Sequence, residues 1–333
     1  MPCNKALVAP APLRQSRGRL ARAIQLLGYR PRNLSKAICA IWLLLLLCSF
    51  AVAQKAPHDR GFWQEIAKNK YAVPEHESAD QLAHELSTLL ASPDPELRDD
   101  LAYSILARWI YRPNILTTPT LHSLTEEWRA NLKSGIGETG TNSVLKRSFS
   151  ALLLSSIAYK EAKTPFLGEA RYHELFADAL NYFQSERDLR GYDAKLGWIH
   201  ANAHTADLLH ELASSPLATR EELNQVLSAI ATRLASAPEV YTQGEQDRMA
   251  VAVIAVVRKP TVDVESITAW LARMNEEDKT TWINPLTPEI LARYQNHGYF
   301  LQALSVRLEL EPESPRITDF NHRVLEILRK RAE

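Results

Sequence analysis

The first 53 residues of this 333-residue chain contain no acidic side chain, although the whole chain has 39. Their eight charges are all positive, and they are followed by an apolar run at 37–50 and by Ala51-Val52-Ala53. A positive leader, a short apolar core and a small-residue cleavage site predict a secretory signal peptide over residues 1–53. We therefore expect cleavage after Ala53 and an exported, periplasmic protein.

An uncleaved leader is the alternative. Residues 37–53 would then form a helix of about 25 Å, which is shorter than the ~30 Å hydrocarbon core of a bilayer. This length favours a cleaved signal over an anchor in the inner membrane. We expect the membrane to be a partner only if the segment stays attached.

Cysteine is absent after the leader, because Cys3, Cys39 and Cys48 all lie within it. Residues 54–333 therefore have no disulfide and no thiol chemistry, and they are numerous enough to bury a core without crosslinks. Removing the eight basic residues of the leader leaves 31 basic and 39 acidic ones, a formal charge of −8. Phosphate binding needs a basic surface, so we expect no nucleic-acid partner.

Strict alternation of apolar and polar residues is also absent, so few strands are expected. Apolar residues instead recur every fourth position, as at Leu97, Leu101, Ile105 and Trp109, which predicts helices. Ten breaks separate these helices: Pro93, Pro113, Gly135–Gly140, Pro165, Asp188–Gly197, Pro216, Pro238, Pro260, Pro285 and Pro312. The spacing predicts one all-α domain over 54–333, a HEAT-like array of antiparallel helix pairs, with a closed α/α toroid as the alternative.

Two histidines and two acids share one face of a predicted helix that begins at Gly197. At 100° per residue, an arc of about 60° contains all four: His200, His204, Asp207 and Glu211. The opposite side, with Trp198, is expected to pack against the core. Any surface helix can show such a polar stripe. The register of the two histidines and the charged loop before them favour a functional site.

Two histidines one helical turn apart can share a zinc ion, so His200 and His204 are candidate metal ligands. Asp207 lies too far along the helix to join them and would orient His204 instead. A third ligand would come from elsewhere: Asp188, Asp193, His173 or Glu174. No HExxH sequence occurs, so the base of zinc proteases is missing. Without a metal, His204 and Asp207 could form an acid/base pair, with Arg190 holding an anionic group.

The sequence Asp-Leu-Arg-Gly-Tyr at 188–192, followed by Gly-Trp-Ile-His-Ala-Asn-Ala-His-Thr-Ala-Asp-Leu-Leu from 197, resembles the signature of an uncharacterised bacterial family, domain of unknown function 2785. The chain departs from it at Ile199 and Thr205, where smaller residues are expected. The resemblance implies a helical fold and a shared polar centre, without an established activity. The candidate ligand-binding residues are Asp188, Arg190, Tyr192, Trp198, His200, His204 and Asp207.

Several other patterns have simpler interpretations. The GxGxxG sequence at 135–140 lacks the preceding strand of a dinucleotide site and is expected to be a loop between helices. Residues 296–299 are expected to form a tight turn; a plain turn is favoured over one with a functional His297. Asp247 and Arg248 open a helix, where an acid suits the helix dipole; alternatively, one of them reaches the polar stripe. Core positions are expected for five tryptophans: Trp63, Trp109, Trp128, Trp270 and Trp282.

Two functions are compatible with these features. The first is an exported helical array that binds an unknown protein or small molecule near His200, His204 and Arg190, because helical arrays usually act as binding surfaces. The second is a hydrolase acting on cell-envelope material, with the histidines as ligands of a divalent metal or as acid/base groups. The first is favoured, because no complete set of nucleophile, base and oxyanion donors is recognisable.

Overall fold

Helices form nearly all of the regular structure in this computed structural model, which describes residues 57–283 and 285–332. These ranges contain twelve α-helices, one π-helical segment and one two-stranded ladder. The all-α prediction is confirmed. None of the helices in the described ranges is long and apolar enough to cross a bilayer. The predicted signal peptide and its cleavage site lie outside the described residues.

The helices alternate with short connections along the chain. The first half comprises α1 (Arg60–Lys68), α2 (Ala79–Leu89), a π-helical segment (Glu96–Tyr103), α3 (Ser104–Tyr111), α4 (Thr118–Asn131), α5 (Ser143–Lys163) and α6 (Glu169–Ser185). Strands β1 (Tyr192–Asp193) and β2 (Gly197–Trp198) follow. The second half comprises α7 (Ala201–Ser214), α8 (Arg220–Ser236), α9 (Glu245–Val257), α10 (Val264–Lys279), α11 (Pro288–Glu309) and α12 (Pro315–Ala332). All ten predicted breaks fall between helices.

Side-chain caps explain where several helices begin. At α8, the hydroxyl of Thr219 accepts the N–H of Glu222, whose carboxylate accepts the N–H of Thr219 in return. Ser78, Thr117 and Thr287 cap α2, α4 and α11 in the simpler one-bond form. Helix α7 is different, because no such bond is made by the side chain of its N-cap residue.

Helix α7 lies at the centre of the packing. It contacts α5, α6, α8 and α9, and the neighbours α5, α7, α9 and α11 follow one another in a row. Helix α8 contacts α6, α10 and α11. One cluster of buried apolar side chains extends from α1 to α12. The position of α7 is therefore established, while the HEAT-like pairing remains a prediction.

Two local predictions are wrong. Four of the five tryptophans are buried as expected: Trp63, Trp109, Trp128 and Trp270. Trp282, however, is 62% exposed and packs edge-on against Tyr294. Residues 296–299 form no turn but lie inside α11, where His297 is fully buried. Gly298 lies within α11 and does not end the helix.

Candidate functional site

The central helix begins later than predicted. Strands β1 and β2 pair as an antiparallel ladder, so the chain just before α7 is extended. Gly197 opens β2, where its φ is +68° and an added Cβ would lie 2.8 Å from the Cβ of Pro95. Glycine tolerates this backbone and this close approach. Helix α7 starts at Ala201, with His200 as its N-cap.

The two candidate imidazoles are nevertheless neighbours. His200 and His204 are each 8% exposed, and their ring centroids lie 5.6 Å apart in an edge-to-face arrangement. His200 has a φ of 50°, in the left-handed region that non-glycine residues rarely adopt. Such strain costs about 1–3 kcal/mol and clusters at functional sites. The strained backbone of His200 is therefore a second feature, independent of the ring positions, that is typical of a functional site.

Ser148, on α5, orients His204. Its hydroxyl donates to the carbonyl of Ile199 and also lies 2.8 Å from Nδ1 of His204. Because a hydroxyl has one hydrogen, the imidazole must donate in the second contact, which leaves the lone pair on Nε2. No residue in the described ranges hydrogen-bonds to that Nε2. Burial, then His200 and Arg248, hold the pKa of His204 well below its usual range, so the ring stays neutral.

His200 is fixed from the start of α9. Its Nε2 lies 3.1 Å from the carbonyl oxygen of Gln243 and 3.5 Å from Oε1 of Glu245. Both partners are acceptors, so Nε2 carries a hydrogen, and Nδ1 has no hydrogen-bond partner in the described part of the chain. Burial raises the pKa of the Glu245 carboxyl, but hydrogen bonds from His200 and from backbone N–H groups outweigh it and leave this pKa lowered. Glu245 is therefore ionised at neutral pH.

Exposed aromatic rings lie beside these imidazoles. Trp198 stacks on His200 with ring centroids 4.7 Å apart, and Tyr192 meets Trp198 edge-on at 5.1 Å. Trp198 is 40% exposed and Tyr192 is 55% exposed. The prediction that Trp198 packs into the core is wrong, because the residue lies on β2 and not on the helix. The two rings offer a fixed apolar surface next to polar nitrogens.

Asp207 is paired with α9. Arg248 donates to both of its carboxylate oxygens at 3.0 Å, so the alternative in which Arg248 reaches the stripe is confirmed. Burial raises the pKa of Asp207, and Arg248 opposes that shift. No hydrogen bond joins Asp207 to His204 within the described ranges, and Ser148 has the orienting role expected of Asp207.

Asp188 and Arg190 belong to a network that holds the loop before β1. Arg190 donates to Asp188 through Nε at 2.8 Å and through Nη2 at 2.6 Å. Asp188 also accepts the N–H of Gly140 at 2.9 Å, and Arg190 donates to the carbonyl of Thr141. The GxGxxG segment is thus an interhelical loop, as predicted, and it is tied to the candidate site.

Two further arginines, which sequence reasoning missed, support the same loop. Arg147 is fully buried and pairs with Glu186 through bonds of 2.6 and 3.1 Å. It also donates to three oxygens at the start of α5 and in the loop before it. Arg98, in the π-helical segment, donates to the carbonyls of Leu196 and Trp198. In sequence, each is an ordinary charge on a helix, without a local signal of its role.

A pocket of about 320 Å³ lies between this loop and the segment that leads into α9. Residues 187–191 contribute to one wall, and residues 238–243 with Glu245 to the other. Asp188 and Arg190 line the pocket, but neither of the two imidazoles does. Glu245 connects the pocket with the two imidazoles, because it lines the pocket and contacts the imidazole of His200. The predicted constellation therefore divides into a charged pocket and a pair of imidazoles.

The predicted metal site lacks a third protein ligand. Within residues 57–283 and 285–332, no group of three or more His, Cys, Asp or Glu side chains is arranged to hold an ion. Asp188 is held by an arginine, Asp193 accepts two backbone N–H groups, and His173 hydrogen-bonds to α8. A metal at the two imidazoles would need water or a ligand to complete its coordination.

A protein-family model matches the region that contains the sequence motif at 188–209. The family is described as Protein of unknown function (DUF2785), and its model matches residues 132–306, just over half of the chain. The chain belongs to the DUF2785 family. No curated protein and no solved structure matches it. The part of this DUF2785 protein that is matched includes both imidazoles, Ser148, Arg147 and both walls of the pocket.

Gly191 of this DUF2785 protein is where the loop comes very close to the opposite wall. An added Cβ would lie 1.8 Å from Oε1 of Gln243, which accepts the N–H of Tyr192. The same Cβ would lie 2.8 Å from Oε1 of Glu245, which is buried, so we expect Gly191→Ala to lower the free energy of unfolding by about 1–3 kcal/mol, measured in urea. The loss should shrink in a Gln243→Ala background. Gly61→Ala is the control, since its nearest neighbour would be 3.4 Å away; equal losses at both glycines would contradict the close approach.

Proposed function

We propose that this is an exported binding protein that holds a small ligand at the surface formed by Tyr192, Trp198, His200 and His204, here called the imidazole–tryptophan face. One observation carries the proposal. Each imidazole has one nitrogen fixed by a protein group, and its other nitrogen has no partner in the described part of the chain. Neither nitrogen is among the buried atoms that lack a partner, so both are accessible from the surface to a ligand that supplies hydrogen-bond donors.

A ligand with O–H donors and a flat apolar side matches this face best. The open imidazole nitrogens accept hydrogen bonds when the rings are neutral, and the rings of Trp198 and Tyr192 provide apolar surface. A sugar ring has both properties, because its hydroxyls lie around the edge and C–H groups cover its sides. A saccharide ligand also suits the envelope location that the leader predicts.

Hydrolysis of envelope material remains the alternative function, with less support. Ser148 contacts His204, but it is fully buried and donates its hydrogen to a backbone carbonyl. A nucleophilic serine would donate that hydrogen to the histidine. The hydrolase alternative therefore requires water as the nucleophile, activated by a bound metal or by an imidazole. Elemental analysis that finds stoichiometric zinc, manganese or iron, lost in His204→Ala, would favour the enzyme.

Titration with the tetramer of N-acetylglucosamine tests the proposed ligand class. We expect saturable binding to the purified protein by calorimetry, together with a change in tryptophan fluorescence. Trp198→Ala should weaken binding about tenfold, because it removes the stacking surface, a loss of about 1.4 kcal/mol. Trp282→Ala is the matched control, since Trp282 is also exposed but belongs to another part of the chain. Absence of saturable binding, or equal losses in both variants, would contradict the proposal.

A further inference from the structure

The polar groups that line the 320 Å³ pocket form two sets. The first set is already engaged by the protein: Asp188 with Arg190, and Glu245 with the imidazole of His200. The second set makes no side-chain hydrogen bond or ion pair within the described ranges. It consists of the guanidinium of Arg187, the carboxylate of Glu239 and the hydroxyls of Thr139 and Thr242.

Tyr241 adds a buried group to the lining. It is 6% exposed, and its hydroxyl has no hydrogen-bond partner in the described part of the chain. An unpaired buried hydroxyl costs about 1–3 kcal/mol, so it is uncommon in a native protein. Burial also raises the pKa of Tyr241, which keeps the hydroxyl protonated and able to donate. The hydroxyl oxygen itself is shielded from solvent, so Tyr241 contributes its ring to the lining and is not assigned a hydrogen bond to an occupant.

The two free charges belong to opposite walls. Arg187 lies on the wall that precedes β1, and Glu239 lies on the wall that leads into α9. Arg190 neutralises Asp188, whereas the ionised carboxylate of Glu245 accepts a hydrogen bond from His200 and keeps its negative charge. The pocket thus offers one free cation, Arg187, and two carboxylates, Glu239 and Glu245, so it has both a positive and a negative side. Its volume is at the lower end of the range for small-molecule sites.

We infer that this pocket binds a zwitterion the size of an amino acid or dipeptide, with its carboxylate on Arg187 and its ammonium group on Glu239. A guanidinium suits a carboxylate because it donates two parallel hydrogen bonds. The hydroxyls of Thr139 and Thr242, both exposed, are available to the peptide group between the charged ends. None of the free groups belongs to the imidazole–tryptophan face, so this inference stands or fails separately from the proposed saccharide ligand.

Three forms of one dipeptide test the inference by calorimetry on the purified protein. Alanyl-alanine carries both charges at neutral pH, its N-acetyl derivative lacks the ammonium group, and its amide lacks the carboxylate. We expect the unmodified dipeptide to bind at least tenfold more tightly than either derivative, because each derivative loses one charge-assisted hydrogen-bonded contact. No binding of alanyl-alanine, or equal affinity for all three forms, would overturn the inference.

Two variants test which wall of the pocket binds each charged group of the dipeptide. Arg187→Gln should make the dipeptide and its amide bind equally, and Glu239→Gln should do the same for the dipeptide and its N-acetyl form. Both residues are exposed, so folding should be unaffected, which circular dichroism checks. Arg220→Gln is the control, because that exposed arginine pairs with Asp263 and does not line the pocket.

Inorganic phosphate separates a zwitterion site from a simple anion site. If phosphate binds as tightly as alanyl-alanine and loses affinity equally in Arg187→Gln, the zwitterion assignment is wrong. The tetramer of N-acetylglucosamine should not compete with alanyl-alanine, since the two ligands are assigned to different places. Competition between them would also contradict a separate site.

Discussion

Replacing Arg147 by methionine is expected to lower the free energy of unfolding by about 3–5 kcal/mol. The guanidinium is fully buried and forms two hydrogen bonds with Glu186, at 2.6 and 3.1 Å. Methionine also has a long apolar side chain, but it leaves the carboxylate of Glu186 buried without its counter-charge. That uncompensated charge is the reason for the large loss. Urea unfolding followed by circular dichroism measures it.

An exposed ion pair gives a matched control for Arg147→Met. Arg220 pairs with Asp263, and both side chains are about half exposed. Water solvates such a pair well, so Arg220→Met should cost at most about 1 kcal/mol. The double substitution Arg147→Met/Glu186→Leu should cost less than Arg147→Met alone, because it leaves no buried charge. Equal losses at the two arginines would contradict the structural role of Arg147.

The same substitution should also affect the pocket. Glu186 accepts the N–H groups of Arg187 and Asp188, each at 2.9 Å, so its carboxylate holds the start of the wall that carries the free guanidinium. Arg147 itself does not line the pocket. Weaker binding of alanyl-alanine to Arg147→Met would therefore reflect loss of positioning, without loss of a direct contact.

Helix boundaries follow from chemistry that is local in sequence. Proline lacks a backbone N–H and disfavours helix at the residue before it, so Pro113, Pro165 and Pro216 lie between helices, as the sequence predicts. Periodicity likewise identifies buried faces, and Leu101 and Ile105 are in the core. These features depend on a few neighbouring residues, which explains why the helices can be located from sequence.

The site depends on partners that are far apart in sequence. Ser148 lies 56 residues from His204 and fixes its tautomer, and Arg98 reaches the backbone of Trp198 from 100 residues away. Spacing within one motif contains no information about such contacts. The same limit explains the error at Gly197, where a positive φ and a close approach by another loop determine a strand. A glycine before a periodic segment also resembles the start of a helix.

Acid is expected to destabilise the protein through His204. Burial, His200 and Arg248 hold the pKa of this ring well below 6.5 in the folded protein, whereas the unfolded chain should titrate near 6.5. Between the two pKa values the unfolded state binds one more proton than the folded state. The free energy of unfolding should therefore fall by about 1.4 kcal/mol for each pH unit below about 6.5, until the folded pKa is reached. Above about pH 7, the contribution of the neutral His204 ring to the free energy of unfolding is fully present.

Urea unfolding at pH 7.5 and pH 5.5 measures this effect, with His204→Gln as the variant that cannot gain the proton. Stability should drop between these pH values by about 1.4 kcal/mol more in the unmodified protein than in the variant. His322→Gln is the control, because His322 is exposed and its surroundings change little on unfolding. An unchanged pH dependence in His204→Gln would show that folding does not lower the pKa of this ring. If the pH dependence of the free energy of unfolding is lost in His204→Gln, the folded ring is neutral at neutral pH. Its Nε2 then has a lone pair, which can accept a hydrogen bond from a ligand hydroxyl.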